Sequence, residues 1–138
     1  MRKIVLASHG YLAKGLKHTV ELIMGEQPDI FVLCGYTPEC EDVKKAIAQI
    51  AETDGEEELI VLTDVFGGSI NNEFMHYLGE GKKYHLIAGM NVPIVIELLE
   101  LGATDSVKEF LKKLNTQEHS YMQYCNLILE EKVADEDF

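Results

Sequence analysis

The chain has 138 residues, of which 46% are hydrophobic, and this size matches a single core, so one domain is expected over residues 1–138. Its 24 acidic and 12 basic residues give a formal net charge of −12, which argues against nucleic acid as a partner and favours a basic protein. No run has the length of a signal-peptide core or a membrane span, and a cytoplasmic protein is therefore expected.

Four short apolar runs predict strands, and a segment with helical spacing follows each of them. The strands are predicted at residues 4–7, 30–33, 59–63 and 84–88. The helices are predicted at residues 12–24, 43–50, 70–78 and 94–101. This alternation favours parallel pairing with right-handed crossovers, so the predicted fold class is a doubly wound α/β domain with a central parallel sheet.

The end of the chain is less regular. Residues 106–114 have helical spacing, whereas residues 124–129 fit either a last strand or a continued helix. We interpret residues 124–129 as a strand, which would be the fifth strand of the chain.

Binding motifs for metals and nucleotides are missing from the sequence. The three cysteines, Cys34, Cys40 and Cys125, form no CxxC pair and lack zinc-site spacing, so free thiols are expected. The sequence also lacks HExxH, GxxxxGK[ST] and a GxGxxG that follows a strand. We therefore expect no metal and no cofactor, and a phosphoryl group would have to be brought by another protein.

Polar residues follow the predicted strands at positions where open parallel sheets bind ligands, beyond the carboxyl ends of the strands. His9 follows the first strand, Asp64 begins the loop after the third, and residues 89–93 follow the fourth. If the first and third strands are neighbours, His9 and Asp64 face each other. A carboxylate on one ring nitrogen fixes the imidazole tautomer and leaves the other nitrogen free as a nucleophile.

The segment Gly67-Gly68-Ser69 opens the third predicted helix. Backbone N–H groups at a helix N-terminus, together with the Ser69 hydroxyl, can hold an anion, and glycines permit close backbone approach. Each feature alone has an ordinary explanation: a satisfied surface histidine, an aspartate in a turn, or a common glycine loop. Together they predict phosphoryl transfer onto His9, with Asp64 as orienting group and Gly67, Gly68 and Ser69 as phosphate contacts.

The other histidines are weaker candidates. His18 and His76 lie inside predicted helices and His85 inside a predicted strand, where a structural role is expected, and His119 lies near the uncertain end.

Three stretches carry a resemblance to a known family: IVLASHGYLAKGL…ELIMGEQ, LIVLTDVFGGSINN and HLIAGMNVPIVIELL. In this order and spacing they resemble the enzyme IIA component of the mannose family of the bacterial phosphoenolpyruvate-dependent sugar phosphotransferase system. The resemblance runs from about residue 2 to about residue 101. Three matching motifs are far more specific than any one of them.

The resemblance implies a phosphocarrier in sugar uptake. In it, His9 takes a phosphoryl group from the histidine-containing phosphocarrier protein and passes it to enzyme IIB. Asp64 matches the family's aspartate, which orients the imidazole, and Ser69 matches its loop serine, a phosphate contact near Gly67 and Gly68. Contact with the membrane is implied only indirectly, through other components of the system.

The family fold implied is a sheet of order 2-1-3-4, with a further antiparallel C-terminal strand exchanged in a homodimer. One departure is Ile70, because a proline often follows the loop serine in relatives. The chain also carries no linker and no fused IIB domain, so a separate IIB polypeptide is expected.

Other functions stay open from the sequence alone. One is the phosphotransfer subunit of a dihydroxyacetone kinase, which uses a related domain. Another is a regulatory module in which phosphorylation is only a signal. A metal-dependent hydrolase is the most distant alternative.

Overall fold

The computed structural model describes residues 2–52, 55–116 and 121–136, which fall into two compact units. The first unit extends to Gly102 and alternates strands with helices. Its strands are β1 (Arg2–His9), β2 (Ile30–Gly35), β3 (Glu58–Thr63) and β4 (His85–Ala88). Its helices are α1 (Leu12–Met24), α2 (Val43–Ala51), α3 (Ser69–Gly79) and α4 (Val92–Glu100).

The four strands form one parallel sheet in the order β2-β1-β3-β4. This confirms the predicted α/β class and the strand order that the family resemblance implied. In the register, Ala7 pairs with Thr63 and His9 pairs with Gly35. The carboxyl ends of β1, β2 and β3 therefore meet at one edge of the sheet.

Both faces of the sheet are buried, which explains why the strands appear in the sequence as continuous apolar runs. On one face, α2 and α3 contact each other over the main core cluster. That cluster contains Val5, Ala7, Leu33, Val43, Ile47, Leu59, Val61, Ile70 and Phe74. On the other face, α1 contacts α4, and the alternate strand residues Leu6, Ile60 and Leu62 are buried.

Side chains at the N-caps of α2 and α4 start these two helices. The Asp42 carboxylate accepts a hydrogen bond from the Lys45 N–H at 3.1 Å, and the Asn91 side chain accepts one from the Ile94 N–H at 2.9 Å. Both satisfy N–H groups that the first turn of a helix leaves without an intrahelical partner.

The observed strand bounds differ from the predicted ones where polar residues extend a strand. β1 continues through Ser8 to His9, because the backbone of both residues still pairs with β2. His9 is thus the last residue of its strand and is held by the sheet. A histidine fixed in this way has less freedom than one in a loop.

The second unit, which begins at Ala103, contains two helices, α5 (Val107–Thr116) and α6 (Cys125–Glu136). The Ser106 hydroxyl accepts a hydrogen bond from the Glu109 N–H at 3.2 Å, which caps the start of α5. The helix predicted over residues 106–114 is confirmed.

The strand predicted over residues 124–129 is wrong, because this segment lies mostly in α6. The apolar run at 127–129 favoured a strand, but leucine, glutamate, lysine and alanine in and after it are good helix formers. Leu127, Ile128 and Leu129 are exposed on this helix. Because this segment is helical, the described residues contain no C-terminal strand that two subunits could exchange. A homodimer, and a single domain over residues 1–138, stay predictions.

None of the helices within the described ranges is long and apolar enough to cross a membrane.

Candidate functional site

The register of β1 and β3 brings His9 and Asp64 together. Ala7 pairs with Thr63, the last residue of β3, so His9 at the end of β1 lies beside Asp64, which directly follows β3. The His9 ring Nδ1 lies 2.9 Å from Asp64 Oδ2, and the His9 backbone N–H donates to the same oxygen at 2.8 Å. The other oxygen, Oδ1, accepts from the Val65 N–H at 3.0 Å. The aspartate is thus fixed by main chain on both sides.

The two side chains differ in exposure. The Asp64 side chain is only 8% exposed, whereas the His9 side chain is 44% exposed. The carboxylate therefore forms the floor of the site and the imidazole its outer surface. A macromolecule can reach the ring while the carboxylate stays out of solvent.

The protonation of Asp64 follows from its contacts. Burial alone raises the pKa of this carboxyl, but hydrogen bonds from the His9 backbone and ring, and the charge of His9, outweigh burial, so the pKa of Asp64 lies below its ordinary value. Asp64 is therefore an ionised acceptor at neutral pH. His9 Nδ1 must then carry the proton that it shares with Asp64.

Ser69 lies at the opposite nitrogen of the ring. Its Oγ is 3.3 Å from His9 Nε2, and its second partner is the Tyr36 hydroxyl at 2.8 Å. With Nδ1 protonated, Nε2 of the neutral ring is an acceptor, so Ser69 donates to Nε2. The single Ser69 hydroxyl proton is then used, and Tyr36 must donate to Ser69.

The glycine loop lies against the ring. Gly67 has φ +81°, a conformation that only glycine adopts without strain, and it precedes the first turn of α3. A side chain at Gly68 would lie 3.5 Å from His9 Cε1 and 3.3 Å from the Val65 carbonyl. The loop backbone at Gly68 therefore lies next to the imidazole, and the tighter of the two contacts is the one with the Val65 carbonyl. Gly68 also leaves the N–H groups of the first helical turn without a side-chain cap.

All five residues predicted for the site, His9, Asp64, Gly67, Gly68 and Ser69, therefore lie together at the carboxyl edge of the sheet. The segment after β4, residues 89–93, has a different role. The N–H groups of Gly89 and Met90 both donate to the Thr63 carbonyl at 2.9 Å, and Asn91 caps α4. These contacts fix the β3 end and not the His9 ring.

Tyr36 belongs to the site but was missed from the sequence. Its ring stacks on His9 with centroids 5.3 Å apart and an interplanar angle of 26°. The signal was available, because β2 also ends at this edge and Tyr36 directly follows Gly35, its last residue. The predicted candidates follow the first, third and fourth strands only, so the residue after the second strand is missing from them.

Ser8, which also follows the first predicted strand, supports the site from below. It is fully buried, and its hydroxyl accepts from the Ala13 N–H at 2.8 Å and donates to the Gly10 carbonyl at 3.1 Å. These bonds connect the end of β1 with the first turn of α1. In the Ser-His-Gly sequence, the buried Ser8 therefore connects β1 to α1 directly before His9.

Ile70 occupies the position where relatives often have proline. It is fully buried, and a side chain at Gly35 would come within 3.1 Å of its Cδ1. Ile70 therefore packs the core under the β2 end, while Ser69 beside it keeps its contact with His9. The departure leaves the geometry of the predicted site intact.

The remaining histidines lie away from this edge or outside the described residues. His18 is exposed on α1, and His76 on α3 pairs with Glu80 at 3.0 Å. His85 Nε2 lies 3.2 Å from Glu58, at the start of β3 and β4. His119 lies outside the described residues.

The cysteines and possible metal ligands of the described residues are the next feature. Cys34, Cys40 and Cys125 are free cysteines. Residues 2–52, 55–116 and 121–136 contain no cluster of three or more histidine, cysteine, aspartate or glutamate side chains arranged to hold a metal ion.

Fold and site are those of an α/β domain that holds an exposed histidine beside a buried aspartate, and a family of the sugar phosphotransferase system (PTS) matches the chain. The family described as "PTS system fructose IIA component" matches residues 3–115. The chain belongs to this family, which is the mannose type of IIA component. Its members are phosphotransferases with a phosphocarrier role in sugar uptake, and this chain has that role.

Individual relatives agree with this assignment. The fructose-specific EIIA component of Bacillus subtilis is 28% identical over 143 residues, covering 99% of this chain and 96% of that protein. The mannose-specific EIIAB component of Escherichia coli is 32% identical over 98 residues, covering 70% of this chain. The match spans only 30% of that longer protein.

A solved structure is also similar over nearly the whole length. It is a crystal structure from Klebsiella pneumoniae, described as a phosphoenolpyruvate-dependent sugar phosphotransferase system permease. The two chains are 41% identical with a TM-score of 0.80, and the match covers 93% of each.

Proposed function

We propose that His9 Nε2 accepts a phosphoryl group from the histidine-containing phosphocarrier protein and passes it to enzyme IIB. One observation carries this proposal: the 2.9 Å contact between His9 Nδ1 and the buried Asp64 carboxylate, which leaves Nε2 free of the carboxylate on a ring that is 44% exposed. Membership of the IIA family supports the reaction class, and the geometry supports His9 as the acceptor.

The transfer balances without any cofactor. The Nε2 lone pair of neutral His9 attacks phosphorus, a new N–P bond forms, and the N–P bond to the donor histidine breaks with its electron pair returning to the donor nitrogen. The proton on His9 Nδ1 stays in place. Donation to IIB is the same step in reverse, with Nε2 of His9 as the leaving group.

Asp64 has two tasks in this scheme. It holds the ring in the tautomer with a free Nε2, and it balances the positive charge that the ring gains when Nε2 bonds to phosphorus. The lowered pKa of Asp64, in which hydrogen bonds and charge from His9 outweigh burial, keeps this carboxylate ionised for both tasks.

The loop after β3 supplies the anion contacts. Ser69 Oγ already lies 3.3 Å from Nε2 and can donate to a phosphoryl oxygen once the nitrogen is occupied. The N–H groups of the first turn of α3 carry partial positive charge, which favours a phosphoryl group beside them. Gly67 and Gly68 give the backbone access to this position.

The surroundings of His9 suit a protein donor. Leu12, Val65 and Phe66 lie on the segments next to the site and are exposed, Phe66 by 80%. Exposed apolar side chains of this kind supply contact area for a partner, and the net charge of −12 favours one that presents basic residues. We further propose a cytoplasmic homodimer whose contact with the membrane is indirect.

The test is phosphorylation with phosphoenolpyruvate, enzyme I and the phosphocarrier protein, followed by intact mass. We expect one acid-labile phosphoryl group on the wild type and on His85→Ala, and none on His9→Ala. His85 is the matched control because it also bonds a carboxylate. Phosphorylation that persists in His9→Ala would refute the assignment of the acceptor.

Onward transfer is tested separately by adding candidate IIB proteins to the phosphorylated chain. Loss of the group to a IIB protein is the expected result. A phosphorylated chain that passes the group to no IIB protein would favour the regulatory module, and transfer to a kinase subunit would favour the dihydroxyacetone branch.

A further inference from the structure

We propose that Tyr36 is a positioning residue for His9, acting through both its ring and its hydroxyl. This inference rests on the proposed function of His9 and extends it to a residue on a third strand end. The ring of Tyr36 limits the orientation of the imidazole, and its hydroxyl determines the direction in which the Ser69 proton points.

The ring contact restricts the imidazole plane. Tyr36 and His9 stack at 5.3 Å with 26° between their planes, which is an offset arrangement that aromatic rings favour. Asp64 fixes the ring at Nδ1 only, and rotation about that contact would move Nε2. Stacking on Tyr36 removes this freedom, so Nε2 points towards Ser69.

The Tyr36 hydroxyl, the Ser69 hydroxyl and His9 Nε2 form a chain of hydrogen bonds. The Tyr36 hydroxyl lies 2.8 Å from Ser69 Oγ, and Ser69 Oγ lies 3.3 Å from His9 Nε2. With the proton of the neutral ring on Nδ1, Ser69 donates to Nε2 and Tyr36 donates to Ser69. The long second contact can be given up when a phosphoryl group arrives at Nε2. A serine that accepts from Tyr36 keeps its own proton directed towards the nitrogen or the phosphoryl oxygen that replaces it.

The backbone of Tyr36 is held in an unusual conformation. Tyr36 has φ +62°, the only non-glycine residue with positive φ in the described part of the chain. Its N–H donates to the Cys40 carbonyl at 3.0 Å, and the Thr37 hydroxyl donates to the Cys34 carbonyl at 2.6 Å. Strained backbone that is over-determined in this way clusters at functional sites, and here it turns the tyrosine onto His9.

Three variants separate the two contacts. Tyr36→Phe keeps the ring and removes the hydroxyl. Tyr36→Gly removes both, and glycine adopts the positive φ without strain, so the loop is preserved. Tyr11→Phe is the control, because Tyr11 lies near the same edge and its hydroxyl bonds Glu39 at 2.8 Å.

The first readout is the rate of phosphoryl transfer to His9. Loss of one hydrogen bond predicts a rate about three- to tenfold lower in Tyr36→Phe. Loss of the stacking contact as well predicts a decrease of more than about tenfold in Tyr36→Gly. Tyr11→Phe should match the wild type.

The second readout is a double-mutant cycle with Ser69→Ala. If the Tyr36 hydroxyl acts through Ser69, Tyr36→Phe should cost less than about twofold in the Ser69→Ala background. A full cost in that background would overturn the route through Ser69. Wild-type rates in both Tyr36→Phe and Tyr36→Gly would overturn the whole inference.

A third readout does not depend on phosphorylation. The ¹⁵N resonances of His9 should report the Nδ1–H tautomer with a hydrogen-bonded Nε2, and Tyr36→Phe should move Nε2 towards the position of a free acceptor. A merely structural role would leave these resonances unchanged. If the wild type takes up no phosphoryl group, the proposed function fails, and the spectra still decide whether Tyr36 orients the ring.

Discussion

Two histidine–carboxylate pairs lie at opposite ends of the same sheet. His9 and Asp64 meet at the carboxyl ends of β1 and β3 at 2.9 Å, and His85 and Glu58 meet at the amino ends of β4 and β3 at 3.2 Å. Both contain an imidazole beside an acid at neighbouring strand ends. Only the first has the surroundings that a transfer reaction needs.

The pairs differ in burial and in the nitrogen that they use. Asp64 is 8% exposed and bonds Nδ1, so Nε2 stays open, whereas Glu58 is 40% exposed and bonds Nε2 of His85. Glu58 also forms an ion pair with Arg2 at 3.1 Å. Burial raises the pKa of Glu58, but hydrogen bonds and charges from His85 and Arg2 outweigh it and lower the pKa overall. That carboxylate is shared between the Arg2 guanidinium and the His85 imidazole.

An imidazole next to an acid is therefore not sufficient for phosphoryl transfer. At the carboxyl edge, the loop after β3 adds glycines, a serine and the start of a helix, and β2 adds an aromatic ring. Parallel topology brings all of these to one edge because every strand ends there. At the amino edge the strands begin, and a surface ion pair is the result.

The largest expected difference between the two pairs is in transfer rate. Asp64→Asn removes the charge that orients and balances His9, so phosphorylation should slow by about a hundredfold or more. Glu58→Gln makes the same chemical change at the other end and should stay within about twofold of the wild type. Both rates are measured with the phosphocarrier protein as donor.

The comparison of phosphorylation rates requires that both variants fold like the wild type. Circular dichroism and thermal melting of both variants serve as the control. Equal rates in Asp64→Asn and the wild type would show that the buried carboxylate is not needed.

A smaller effect is expected on stability from the glycine loop. Gly67→Ala places a side chain at φ +81°, and the free energy of unfolding should fall by about 1–2 kcal/mol. Gly15→Ala inside α1 meets open space and should raise it by about 0.5–1 kcal/mol. Urea denaturation measures both. A stable Gly67→Ala would contradict the view that this edge depends on glycine.

The smallest expected effect is on acid stability. The pKa values of Asp64 and Glu58 both lie below their ordinary values, since hydrogen bonds and charges outweigh burial, so the unfolded chain binds more protons in acid. Their stabilisation is present above about pH 4 and is lost as pH falls through the folded pKa values. Asp64→Asn and Glu58→Gln should each reduce the loss of stability between pH 7 and pH 3.5. If both variants lose as much stability as the wild type between pH 7 and pH 3.5, Asp64 and Glu58 do not contribute to acid stability in this way.

Most of the fold and the candidate site could be predicted because their signals are local. Buried parallel strands leave apolar runs, and the strand-end rule then selects His9 and Asp64 without coordinates. Tyr36 was missed although it directly follows β2, because a tyrosine after a strand does not by itself indicate contact with a histidine on a neighbouring strand. Its role depends on the turn of the backbone after β2, which brings the ring onto His9.

The C-terminal segment shows that a short apolar run alone does not distinguish a strand from a helix. Leu127, Ile128 and Leu129 fit a strand as well as a helix when considered alone. The helix-forming residues after them favour α6, and the three side chains stay exposed. Short apolar runs are therefore ambiguous unless their flanking residues are weighed as well.

The central claim is that Asp64 holds Nδ1 so that Nε2 receives the phosphoryl group. The most direct test is ¹⁵N NMR of the phosphorylated protein with labelled histidine, which distinguishes the two ring nitrogens. The account predicts phosphorus on Nε2 of His9 with a proton still on Nδ1. Phosphorus on Nδ1, or on any other side chain, would contradict it.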